Sequence, residues 1–346
     1  MKLIIIDARC IFDSGVGVYL REVLQRLIKE DVQIELIMDR AQKAQFEALK
    51  ISVKKVHVIK YGRFSFFNLL FLNKLIKHAD VYLMPSLTVS PIFSSVQKMT
   101  VVHDVCPIRM YKSFGYITAI AYWFMLGIQL VSSRKVIAIS EFTKNEIKAY
   151  YPSYLTRKID VIYNGLSTRL NDKYKENIRE KPYLLCVGNV KPHKNIVNFV
   201  NYFTNHSKFS KKFILVIVGQ SDGFRTGEKP LICYEDNVEF TGFVSDEELG
   251  GLYDNASAFV FPSFYEGFGL PILEAMSFNL PILASDIPVF KEIAQNTIEY
   301  FNPNNFNDFD TKLEILFSRS NSDFSKILEQ FTWENNVKKM IGIINR

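Results

Sequence analysis

Short apolar runs alternate with stretches of helical periodicity along the whole chain. In the first half the runs fall at 3–6, 34–38, 56–59, 81–84, 99–102, 136–139 and 161–163. Several are unbroken blocks of Val, Ile, Leu and Met, the composition of a strand covered by helices on both faces. Strands of that kind separated by helical patterns predict parallel sheets with crossover helices. A charge-rich stretch at 167–181 interrupts the alternation and reads as an interdomain linker. The pattern then restarts at 183–187, 213–218, 238–240, 258–261 and 282–284, and Ser245 with Glu248 forms a capping box that opens one helix. A last amphipathic helix is expected at 332–344. The reading is an α/β chain of two Rossmann-like parallel-sheet domains, 1–168 and 169–331, followed by a C-terminal helix, 332–346. Ligands of such sheets bind beyond the carboxyl ends of the strands.

Two apolar segments need a separate reading. Residues 113–133 carry no charge, and a spanning helix needs about 20 mostly apolar residues. Thr118 and Gln129 interrupt the run, so a buried core helix is expected. Residues 64–78 set bulky apolar side chains beside Arg63, Lys74 and Lys77. A core-facing helix is weighed there against an in-plane contact with a membrane surface.

With 346 residues the chain exceeds what one core usually supports, which agrees with two domains. A net charge of +6 is spread without a dense Lys/Arg run, which disfavours nucleic acid and suits anionic substrates or an anionic membrane face. Cys10, Cys106, Cys186 and Cys233 are scattered with no CxxC pair, as expected of reduced thiols in the cytoplasm. The apolar run before Asp7 is only four residues long, 3–6, so the N-terminus predicts a first buried strand and not a signal peptide.

The densest chemistry lies at 262–277, PSFYEGFGLPILEAMS. Glu266 and Glu274 are separated by seven residues that include Gly267, Phe268, Gly269, Leu270 and Pro271. Proline suits the first turn of a helix, and Glu274 is expected in or near that turn. Unpaired amides with the helix dipole attract an anion, while the carboxylates accept from hydroxyls. A phosphorylated polyol such as a sugar nucleotide needs that combination. Read structurally, the two glutamates are a loop carboxylate and a helix-dipole carboxylate.

Further candidates follow strands. Gly188-Asn189-Val190-Lys191-Pro192-His193-Lys194-Asn195 places lysines where a leaving diphosphate could be neutralised, although Lys194 also reads as a solvated helix-start lysine. His103 ends a strand in Val102-His103-Asp104, where an imidazole can donate to a hydroxyl or take part in proton transfer. Asp104 is equally a site residue or a loop cap. Gly15-Val16-Gly17 is a glycine turn opening the first helix, without the spacing of a dinucleotide fingerprint. Ser140 reads as an N-cap and Asn164-Gly165 as a tight turn. Asp308-Phe309-Asp310 lies in a polar stretch with no strand before it and is not taken as a metal site.

From Gly15 to Phe331-Thr332-Trp333-Glu334 the chain resembles a retaining glycosyltransferase of the GT-B fold, family 4 (glycosyl transferases group 1), including bacterial surface-polysaccharide mannosyltransferases. Its most specific element is Glu266-Gly267-Phe268-Gly269-Leu270-Pro271 followed by Glu274. The resemblance implies that Glu266 and His103 contact the donor sugar, that the amides of Gly267–Leu270 touch sugar and diphosphate, and that Glu274 binds the ribose. Gly15 and Gly17 would bring backbone to donor phosphate or acceptor. Lys194 matches the family's diphosphate lysine. Asn189 stands where many members have arginine, a charge that is either absent here or supplied by Lys191 or, less readily, Arg225. Ser140 and Asn164 also match family patterns. The implied activity is transfer of a hexose, with GDP-mannose favoured, to a glycan or lipid-linked saccharide in lipopolysaccharide or capsule synthesis. Domain closure would bring His103 to Glu266, and no metal or cofactor is implied. The enzyme would be cytoplasmic, in peripheral contact with the membrane's inner face. The alternatives are a sugar-nucleotide epimerase or phosphorylase, or a non-catalytic partner subunit that binds sugar nucleotide.

Overall fold

The computed structural model describes residues 1–91, 94–170, 181–220, 237–319 and 323–346. The chain divides into two compact units, Met1–Gly165 with Phe331–Arg346, and Leu166–Gln330.

In the first unit seven parallel strands form one sheet: β1 (Lys2–Asp7), β2 (Val32–Met38), β3 (Lys55–Val58), β4 (Val81–Met84), β5 (Gln97–Val102), β6 (Lys135–Ala138) and β7 (Ile159–Val161), in the order β3-β2-β1-β4-β5-β6-β7. The central strands are buried almost end to end, as their unbroken apolar runs require. The second unit has six parallel strands: β8 (Tyr183–Val187), β9 (Ile214–Val218), β10 (Val238–Gly242), β11 (Ala258–Phe261), β12 (Ile282–Ser285) and β13 (Glu299–Phe301), in the order β10-β9-β8-β11-β12-β13. In each sheet the winding reverses once, between β1 and β4 and between β8 and β11. Crevices for ligands form at such switch points, beyond the strands' carboxyl ends.

The second unit fills its core with aromatic rings, Phe199 meeting Phe301 and Phe306 at a tilt and Phe309 edge-on. The C-terminal helix, Trp333–Ile344, belongs to the first unit and packs on the Gly15–Leu27 helix. Gly165 lets the two chain segments touch: a Cβ there would lie 2.2 Å from the Trp333 amide nitrogen. No turn forms at Asn164-Gly165, where one was expected; the glycine serves a close backbone crossing instead.

The expectation of a buried core helix at 113–133 is overturned. The helix Tyr116–Ser132 buries only Ala119, Leu126, Gln129 and Leu130. Tyr116, Ile117, Ile120, Trp123, Phe124 and Val131 face out, Ile117 with 86% of its surface exposed. Within 64–78 the helix is Asn68–Ile76, which packs Leu72 and Ile76 on the sheet and leaves Leu70 and Phe71 outside. Phe64, Phe66 and Phe67, just before it, are exposed as well, Phe66 by 79%. Both helices lie on one face of the sheet. Met84, Thr100 and Val136 are register partners across β4, β5 and β6, and partners in a sheet share a face. The Asn68–Ile76 helix packs with Met84 and the Tyr116–Ser132 helix with Val136. Among the described residues no helix is long and apolar enough to cross a membrane.

Candidate active site

The second unit's switch point brings together groups far apart in sequence. β8 ends at Val187 and leads into the turn Pro192–Lys194, preceded by Lys191 in extended backbone. β11 ends at Phe261 and leads through Ser263 to Glu266. Lys194 Nζ donates to Glu266 Oε1 at 2.6 Å, Ser263 Oγ donates to the same oxygen at 2.8 Å, and the ammonium rests 5.1 Å from the Phe261 ring centroid. The carbonyl of His193 accepts from the Phe264 amide at 2.8 Å, which ties the two loops together. Burial holds the His193 imidazole down at about 4, so it adds no charge beside Lys194 at neutral pH.

The helix Leu270–Ser277 starts immediately after. Gly269 is its N-cap with φ +114°, a conformation that glycine adopts without strain, and Pro271 sits in the first turn as expected. Glu274 is the helix's fifth residue, just past the first turn and so near it, as expected. It is buried: Oε1 accepts from Arg169 Nη2 at 3.2 Å and Oε2 from the Tyr253 hydroxyl at 3.0 Å. Arg169 also pairs with Asp246 at 3.1 Å. Neither Arg169 nor Tyr253 stands out in the sequence. Arg169 falls in the stretch read as linker, yet Thr168–Leu170 is a 3-10 turn within the second unit.

Asn189 tethers the loop, its Oδ1 accepting from the Gln220 amide at 3.0 Å. Arg225, Cys233 and most of the 167–181 stretch lie outside the described residues.

In the first unit His103 follows β5, beside the switch point. Its Nε2 lies 2.8 Å from the Pro85 carbonyl, and its ring meets Tyr19 edge-on with centroids 4.9 Å apart. Tyr19 in turn meets Trp333 at 5.6 Å, so the C-terminal helix buttresses the histidine. Desolvation holds the imidazole at about 4, against a weaker opposing effect of the Pro85 carbonyl. At neutral pH the ring is therefore neutral. A carbonyl only accepts, so Nε2 carries the proton, which leaves Nδ1 with a lone pair. Asp104 Oδ1 accepts from the Cys106 amide at 2.8 Å and so holds the turn that leads into the short helix Cys106–Arg109. Thr143 Oγ1 donates to the His103 carbonyl at 3.2 Å, and Ser140 Oγ accepts from the Thr143 amide at 2.9 Å as the N-cap of Glu141–Tyr150. Ser140 thus fixes the backbone of His103 through one intermediary.

Gly15 and Gly17 open the first helix, Gly15–Leu27. Gly17 is required by packing, because a Cβ there would lie 2.6 Å from the Ile11 carbonyl oxygen, whereas Gly15 faces open space. Asn164 is buried and its Oδ1 has no hydrogen-bond partner. Also inside this unit, Asp7 and Arg9 form a buried ion pair at 2.6 Å at the end of β1, joined by Tyr82 and Thr88. No sequence motif marks this pair, and Arg9 Nη1 also donates to the Tyr61 carbonyl at 2.8 Å and to Asn68 Oδ1 at 3.1 Å, which anchors the neighbouring loop.

Two family models match in tandem: Glycosyltransferase Family 4 over residues 14–170 and Glycosyl transferases group 1 over residues 168–329. The chain is 34% identical over 248 residues to the O-antigen chain mannosyltransferase RfbU of Salmonella typhimurium, covering 70% of this chain and 67% of that protein. It is 29% identical over 237 residues to O-antigen chain mannosyltransferase B of Escherichia coli, covering 62% and 61% of the two chains. HepE of Anabaena, solved in complex with UDP and glucose, superposes with a TM-score of 0.78 at 14% identity over 100% of this chain and 99% of that one. That likeness concerns the fold, which is GT-B. With two parallel sheets, their switch-point loops and the tandem match in place, the chain belongs to the family 4 glycosyltransferases.

Proposed function

We propose that this glycosyltransferase is a retaining mannosyltransferase that uses GDP-mannose and extends a lipid-linked saccharide at the cytoplasmic face of the membrane. The Lys194–Glu266 pair carries the reading. Two opposite charges, both mostly buried, stand at the mouth of the β8/β11 switch point beside the start of the Leu270–Ser277 helix. A donor diphosphate there takes over the lysine, and the released carboxylate accepts from vicinal sugar hydroxyls. The amides of Gly267–Leu270 and the helix dipole hold the phosphate oxygens, with Lys191 as the second cation in the place of the family's arginine. Glu274 keeps lone pairs beyond those used by Arg169 and Tyr253, and these accept from the ribose. The protein charges suffice for the diphosphate, so the transfer itself needs no metal ion.

The acceptor hydroxyl attacks on the face from which the diphosphate departs. The departing phosphate oxygen takes its proton, and Lys194 with the helix amides stabilises the growing charge. His103, neutral with a lone pair at Nδ1, accepts a hydrogen bond from a donor-sugar hydroxyl. That both O-antigen relatives are mannosyltransferases supports mannose. The outward aromatic residues of 64–71 and 116–131, with Arg63, Lys74, Lys77 and Lys112 nearby in sequence, suit an anionic bilayer that holds a lipid-linked acceptor.

The test is a thermal-shift screen of GDP-, UDP- and dTDP-sugars followed by transfer assays. GDP-mannose should give the largest shift, because a ligand bound only by the folded chain stabilises it. A larger shift with a UDP- or dTDP-sugar, and transfer from it, would replace the donor assignment.

A further inference from the structure

We infer that the first unit carries a binding site for one divalent zinc-class ion, formed by Glu35, His57 and His78. The three ligands come from three elements: β2, β3, and the segment after the Asn68–Ile76 helix. They are separated by 22 and 21 positions in sequence, so no ligand spacing announces them.

Glu35 Oε2 is the shared centre. It lies 2.6 Å from His57 Nε2 and 3.1 Å from His78 Nε2, and the ligand atoms of all three residues fall within 4.8 Å of one another. Ligands about 2.0–2.2 Å from a tetrahedral zinc stand about 3.3 Å apart. An ion therefore enters with sub-ångström to roughly ångström side-chain adjustments and leaves the backbone in place. The other carboxylate oxygen, Oε1, faces Lys54 Nζ at 3.9 Å, which orients Oε2 toward the histidines.

Exposure gives the site an entry side. The Glu35 side chain is 4% exposed and that of His57 13%, whereas that of His78 is 47% exposed. A zinc ion with two imidazoles and one carboxylate keeps a fourth position, open to water on the His78 side. The donor set of two nitrogens and one oxygen selects zinc-class ions over magnesium or calcium, which take oxygen ligands. In the sheet order, β1 and β4 separate β2 from β5, whose end carries His103. The ion would pin the edge strand and the helix end to the sheet and take no part in sugar transfer.

Tag-free full-length protein stripped with a chelator and dialysed against Zn²⁺ tests the site. The expected result is one zinc retained per chain, a raised melting temperature, and a tetrahedral visible spectrum with Co²⁺ in its place. His78→Ala, at an exposed position that leaves the fold intact, should lose more than the roughly 100-fold that even an outer-shell partner commands. His57→Ala should do the same, and Mg²⁺ should not compete. No zinc retained by the wild type, equal binding by His78→Ala, or displacement by Mg²⁺ overturns the assignment.

Discussion

The two units share a wound parallel-sheet design and treat their aromatic residues in opposite ways. The second unit turns its phenylalanines inward. Among the described residues its large apolar side chains left exposed are Phe243, Ile315 and Phe317. The first unit leaves Phe64, Phe66, Phe67, Leu70, Phe71, Tyr116, Ile117, Ile120, Trp123, Phe124 and Val131 outside, on two helical segments that cover one face of its sheet. Exposed apolar surface on that scale marks a binding face, because nothing in monomer folding rewards it. The second unit pairs Glu266 with Lys194 and Glu274 with Arg169 around its switch point, where the first unit has the buried Asp7–Arg9 pair. On the proposed function the difference separates two tasks: the second unit would hold charge for a nucleotide, and the first would present apolar surface and the neutral His103.

The sharpest way to break this division is to disable one unit and read the other's task. Lys194→Ala or Glu266→Ala should lower transfer by about 10²–10³, the loss typical of one charge-stabilising group. Sedimentation with anionic vesicles should be unchanged. Loss of vesicle binding in the same variants would undo the separation. In the first unit, Ile117→Glu or Phe66→Glu should weaken vesicle binding about tenfold each, since fully burying such a side chain contributes about 1.5–3 kcal/mol. Phe243→Glu, an exposed position of the second unit, serves as the contrast and should leave vesicle binding intact.

Next in size is the effect of acid. His103 in the first unit and His193 in the second are both held at about 4, below the ordinary 6.5. Between those values the unfolded chain takes up protons that the folded chain refuses, so stability falls as pH drops from about 6.5 toward 4. Urea midpoints across that window should decline, and the His103→Gln, His193→Gln double variant should flatten part of the decline. The smallest effect is expected for Asn189→Ala, which removes one side-chain hydrogen bond to the Gln220 amide and costs about 1 kcal/mol, with transfer within a few-fold of wild type.

Much of the architecture was legible in the sequence, because strands buried on both faces leave unbroken apolar runs. The runs at 183–187, 81–84 and 258–261 coincide with β8, β4 and β11 end to end. β7 begins two residues before its expected run, where Asp160 breaks the pattern. β13 escaped notice. It is three residues long and carries a glutamate, Glu299, whose charge is met by Lys312 and Arg319 from later in the chain. The Tyr116–Ser132 helix misled for a physical reason. A helix apolar all round reads the same whether its outer side meets core or an apolar partner. In the site, the Glu266–Glu274 stretch was visible as a local pattern, but what engages each carboxylate was not. Lys194 meets Glu266 from 72 positions away and Arg169 meets Glu274 from 105. Only the sheet's winding brings those partners together.

The central claim is that the Lys194–Glu266 pair opens onto a GDP-mannose diphosphate and supports transfer with retention. One measurement tests it most directly: the anomeric configuration and yield of the product formed from GDP-mannose on a lipid-linked saccharide, compared between wild type and Lys194→Ala. The account predicts an α-mannoside from the wild type and almost none from the variant, with both proteins folded to the same melting temperature within a few degrees. A β-mannoside, or undiminished transfer by Lys194→Ala, would contradict it.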